Sequence, residues 1–173
     1  AVDASAASID VKQGTEFSHN VAISWGGAVS LKGKCEMKVQ SDAIFHANMA
    51  DSGGAVAITE SSLFASNSRF EGNKAVAGYG GAFSIAGIET VVDISDSMLS
   101  LNSAAKGAEG CSMCGGGGAL SVQGAAKLTL SRGTQCTSNT ASGDSRESSG
   151  GCILAWGSAQ IRLENSSLVG NLA

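Results

Sequence analysis

The sequence predicts an all-β protein, a right-handed single-stranded parallel β-helix of about five and a half coils with three strands in each. Three observations predict it: a glycine-led strand motif recurring at nearly constant spacing, a second motif at a fixed place between its copies, and an apolar period of two throughout. The composition agrees. The 173 residues contain 24 glycines and no proline. Proline would delete a ladder hydrogen bond wherever it fell on a stacked strand, while glycine serves tight corners that need positive φ.

The first element is Gly-Gly-Ala followed by an alternating apolar strand. It reads Gly26-Gly27-Ala28-Val29-Ser30-Leu31, Gly53-Gly54-Ala55-Val56-Ala57-Ile58, Gly80-Gly81-Ala82-Phe83-Ser84-Ile85 and Gly117-Gly118-Ala119-Leu120-Ser121-Val122. A degenerate fifth copy is Gly150-Gly151-Cys152-Ile153, and the copies lie 27, 27, 37 and 33 residues apart. Alternation within the motif places Leu31, Ile58, Phe83, Ile85 and Val122 in the core, stacked like upon like. The same alternation turns Ala28, Ser30, Ala55, Ala57, Ala82, Ser84, Ala119 and Ser121 outward. They are expected to form a flat, small, uncharged face open to a protein partner.

The second element completes each unit with period-two pairs: Ile9/Val11, Met37/Val39, Ser62/Phe64, Val92/Ile94, Leu128/Leu130 and Ile161/Leu163. Its outward positions, including Asp10, Lys38, Asp93, Thr129 and Arg162, read as an ordinary solvated face. The third element is an apolar residue followed three positions later by asparagine. Phe17, Phe45 and Phe70 fill a corner of the core, and Asn20, Asn48, Asn73, Asn102, Asn139 and Asn171 are expected at a bend, each bonded to the Asn one coil away. One such coil cannot bury enough apolar surface to offset the entropy of ordering itself, so the units must stack.

Gly-Gly-Ala-(Ile/Val/Leu) alternating with Phe-x-x-Asn resembles the polymorphic outer-membrane protein repeats best known from chlamydiae, over nearly the whole chain. The resemblance implies a surface-exposed, noncatalytic β-helical segment of an autotransporter that adheres to host cells. It implies an extracellular or cell-surface location, with protein partners, flanking repeats of the same chain, or a host-surface or glycan ligand. The whole of 1–173 reads as a single solenoid segment, expected to be a fragment of a longer chain.

Charge and motif content narrow the function classes. The formal net charge of −4, without a Lys/Arg stripe, offers nothing to neutralise a phosphate backbone, so no nucleic-acid partner is expected. Apolar runs are a few residues long, far short of the ~20 a membrane-spanning helix needs. No catalytic set, metal site or cofactor is expected. Asp93 and Asp96 lie close together without a basic partner recurring in adjacent coils, and there is no Gly-Gly-x-Gly-x-Asp calcium repeat. A pectin-lyase-like polysaccharide-active enzyme is the catalytic alternative, and a structural subunit packed through the Ala/Ser face the other one.

Two insertions, Ser103 to Gly116 and Thr140 to Ser149, interrupt the period on the same corner. Cys111, Cys114, Cys136 and Cys152 form the candidate disulfide set, with their connectivity open, and disulfides belong to an oxidising compartment. Cys136 and Cys152 occupy the Phe and Ala positions of the repeat. Cys35 is left over in a turn. Asn165-Ser166-Ser167 is a glycosylation sequon in a turn.

Overall fold

A computed structural model describes residues 1–105, 116–142 and 150–173. Cys111 and Cys114 lie outside the described residues. Every regular element among those residues is a strand, and every strand pairing is parallel with the equivalent strand one coil away. The chain is therefore a β-solenoid of about five turns, as the repeats predict.

Face one stacks Val2–Ser5, Val29–Lys32, Val56–Thr59, Phe83–Ala86, Leu120–Gly124 and Ile153–Gly157. Face two stacks Ser8–Val11, Glu36–Val39, Ser62–Ser66, Val91–Ser95, Lys127–Ser131 and Gln160–Leu163. Face three carries the Phe-type position in Glu16–Ser18, Ile44–His46, Arg69–Glu71, Met98–Ser100, Gln135–Thr137 and Ser167–Val169. A fourth, very short face follows each bend, in Met49–Ala50, Lys74–Ala75, Ser103–Ala105 and Thr140–Ser142. Three strands per coil thus become four. The fourth is only two or three residues long and turns a single alanine inward (Ala50, Ala75, Ala104 or Ala141), which leaves no alternation to read in sequence.

The core is one column of like residues. Leu31, Ile58, Ile85 and Val122 are in register and buried, as are Val29, Val56, Phe83 and Leu120 beside them. Rings of Phe17, Phe45 and Phe70 stack at 4.7 and 4.8 Å between centroids, and Phe83 leans on Phe70 at 4.6 Å. Phe45 and Phe70 are fully buried; Phe17, in the first coil, is half-buried. Spacings of this size lie within the favourable range for aromatic pairs. On face two the third coil departs from the predicted pair. Leu63 and Ala65 point inward, whereas Phe64 is partly exposed between Lys38 and Asp93.

The Gly-Gly-Ala motif has a separate reason at each position. Gly53 has φ of 63°, and a Cβ there would meet the Val56 carbonyl oxygen at 2.4 Å. At Gly54 a Cβ would lie 2.2 Å from the Gly81 oxygen of the next coil, so close stacking of backbones excludes any side chain. The alanine then corrects the outward-face expectation. Ala55 and Val56 both donate their N–H to the single Ala82 carbonyl, at 3.1 and 2.9 Å. This break in the ladder lets two successive side chains face inward. Ala28, Ala55, Ala82 and Ala119 accordingly sit in the core, fully buried, and belong to no outer face.

Candidate functional site

Three ladders at the corners hold the outer faces in position. The asparagine ladder is continuous: each side-chain amide donates to the Oδ1 of the next, from Asn20 through Asn48, Asn73, Asn102 and Asn139 to Asn171, at 2.9–3.0 Å. The second amide hydrogen goes to a carbonyl of the preceding coil, as in Asn73 Nδ2 to Phe45 O at 2.9 Å. Each Oδ1 also accepts the previous Asn backbone N–H, so all four hydrogen-bonding capacities of Asn48, Asn73, Asn102 and Asn139 are used inside the stack.

Hydroxyl ladders occupy two further corners. Ser68 N donates to Ser97 Oγ, and Ser97 N to Thr134 Oγ1, at 3.0 and 3.5 Å. Between faces one and two, Cys35 N donates to Ser61 Oγ at 3.1 Å and Glu60 N to Thr90 Oγ1 at 2.8 Å. Cys35 belongs to this last column. Its buried thiol accepts from Ala7 N and donates to Lys32 O, standing where its neighbours carry hydroxyls. Cys136 and Cys152 are joined as a disulfide with Cα atoms 6.2 Å apart. Both sulfurs are inside the core, linking face three to the Gly-Gly-Ala corner.

With the alanines removed, the outward row of face one is Ser30, Ala57, Ser84 and Ser121, continued by Leu154. The four small residues are at most 6% exposed, and Leu154 is partly buried. At one end the chain covers its own row: Gly116 passes against Leu154, and the Tyr79 ring packs on Trp156 at 4.9 Å. At the other end the row is the floor of a groove of about 350 Å³. Trp25 forms one wall and remains 48% exposed. Lys32, Thr59, Glu60 and Gln123 form the rest of the rim.

The Ser30 hydroxyl lines this groove, is buried, and has no hydrogen-bond partner. The hydroxyls of Ser121 in the same row and Ser166 at a corner are buried and unpartnered too, but of these three only that of Ser30 lines the groove, where a ligand group is the candidate partner. The expected flat partner face is thus a recessed floor with an aromatic wall. Trp25, Lys32, Thr59, Glu60 and Gln123 were not singled out by the repeat pattern. One signal pointed to Trp25: it and Tyr79 both immediately precede the first glycine of a Gly-Gly-Ala copy.

Face two differs in kind. Its outer surface carries short-range ion pairs, Lys12 with Asp10, Lys38 with Glu36 at 2.6 Å, and Arg162 with Glu164. The hydrogen bond that Lys38 donates to the Glu36 carboxylate, reinforced by that group's charge, raises the Lys38 ammonium above its ordinary value. Asp93 lies in register between Phe64 and Thr129, and Asp96 stands at the corner between faces two and three. Among the described residues no group of three His, Cys, Asp or Glu side chains is placed to hold a metal ion, and no helix is long and apolar enough to cross a membrane.

Comparison with protein-family models, with curated proteins and with solved structures returned no match for this chain.

Proposed function

We propose that this chain is a noncatalytic adhesive module of an extracellular surface protein, a rigid solenoid that presents the Trp25 groove to a ligand outside the cell. The observation that carries the reading is the buried, unpartnered Ser30 hydroxyl on the floor of a groove walled by a half-exposed tryptophan. Rigidity is useful to a binding surface because little ordering cost remains to be met on association. The Cys136–Cys152 disulfide supports an oxidising compartment. The Gly-Gly-Ala and Phe-x-x-Asn motifs, in their resemblance to chlamydial surface repeats, support adhesion as the role.

Beads coated with the folded chain test this. They should adhere to cultured cells or to matrix-coated glass well above beads carrying the reduced, denatured chain, and Trp25→Ala should remove most of the excess. Equal adhesion of folded and denatured chains would refute the reading.

A further inference from the structure

We propose that the Trp25 groove binds a short neutral oligosaccharide, with the indole as its stacking platform and the Ser30 hydroxyl as a hydrogen-bond partner on the floor. The proposal deepens the adhesive reading and rests on it. Four features select this ligand class. A sugar ring has an apolar C–H face and a polar edge, which matches an exposed indole beside hydroxyl and amide groups, here Thr59 and Gln123. The groove carries one ammonium, Lys32, and one carboxylate, Glu60, so its rim has no net charge with which to select an anion. Its floor spans the coils from Ser30 to Ser84 and its rim reaches Gln123 in the coil beyond, roughly 14 Å at the ~4.8 Å spacing of stacked strands, longer than a single sugar.

The fourth feature concerns peptides. An extended peptide binds a sheet by adding main-chain hydrogen bonds at an open edge. The face-one strands from Val29–Lys32 to Leu120–Gly124 are paired on both sides, so the floor presents side chains and no open edge. Ser30 is the second, independent pointer. A hydroxyl buried without a partner is costly in the free protein and is relieved by a ligand oxygen that reaches it.

The test is a fluorescence titration of the full chain. Trp156→Phe leaves Trp25 as the sole tryptophan, and cellohexaose, chitohexaose and laminarihexaose serve as probes, with heparin as the anionic comparison. At least one neutral hexasaccharide should shift Trp25 emission saturably. By calorimetry, Trp25→Ala should weaken that binding at least tenfold, and Lys127→Glu on face two should leave it unchanged. Ser30→Ala should weaken it severalfold while leaving thermal stability equal or higher, a split that a purely structural serine does not produce.

No saturable shift with any neutral probe, binding that survives Trp25→Ala, or a response to heparin alone would each overturn the assignment. If the neutral probes fail while beads still adhere through Trp25, the glycan assignment falls and the adhesive reading stands. If adhesion fails as well, both fall.

Discussion

Replacing Asn73 by alanine removes the centre of the asparagine ladder, and the structure sets the cost. Four hydrogen bonds disappear: from Asn48 N and Asn48 Nδ2 to Asn73 Oδ1, and from Asn73 Nδ2 to Phe45 O and Asn102 Oδ1, all at 2.9–3.0 Å. A net ~1 kcal/mol for each gives a floor of about 4 kcal/mol. The Asn48 N–H and the Phe45 carbonyl are left facing a fully buried site, where an orphaned group costs ~1–3 kcal/mol in place of ~1, so we expect about 4–8 kcal/mol in total. Asn20→Ala is the control. Asn20 is half-buried in the first coil, and its amide makes one ladder bond, to Asn48 Oδ1, so about 1 kcal/mol is expected. Urea unfolding followed by far-ultraviolet circular dichroism measures both. A loss below about 1 kcal/mol for Asn73→Ala, or equal losses for the two variants, would refute the claim that the ladder holds the coils together.

Asn73→Asp keeps the acceptor but sets a carboxylate oxygen against the Phe45 carbonyl and Asn102 Oδ1. Burial favours the protonated acid, so the folded-state pKa of the new group lies above its unfolded value of ~3.9; the variant's deficit against the parent should be largest at neutral pH and shrink as pH falls through that raised value, measured by denaturation at a series of pH values. Gly54→Ala forces a methyl against the Gly81 carbonyl and should cost about 3–5 kcal/mol or prevent folding, whereas the same change at Gly14, with open space around it, should cost far less. Reducing Cys136–Cys152, which closes a segment with a sequence separation of 16, should lower the unfolding free energy by about 3 kcal/mol in a denaturant titration with and without reductant.

The coil order, the inward columns of faces one and three and the positions of the ladder asparagines were legible because each depends on one residue type repeating at one place. Leu31, Ile58, Ile85 and Val122 have to match because they touch across consecutive coils, and that requirement writes itself into the sequence. The errors arose where local backbone geometry breaks the period. Ala55 and Val56 share one carbonyl acceptor, so extending strict alternation back through the corner turned the alanines outward when they are in the core. In Ser62–Ser66 the inward pair is Leu63 and Ala65, and a conspicuous Phe64 invited the opposite choice. Cys35 looked unmatched because its partners, the Ser61 hydroxyl and the Ala7 amide, belong to neighbouring coils. The groove was hidden for a related reason. Trp25 and Lys32 flank one Gly-Gly-Ala copy, while Glu60 and Gln123 come from two other coils that only the stacking brings beside them.

Hydrogen exchange of asparagine side-chain amides, read by nuclear magnetic resonance, tests the stacked architecture most directly. Both amide hydrogens of Asn48, Asn73, Asn102 and Asn139 are bonded within the stack, so these four should exchange slowly and lose protection together on unfolding. Asn67, exposed at another corner, should exchange close to the solvent rate. Equal, fast exchange at all five would contradict the account.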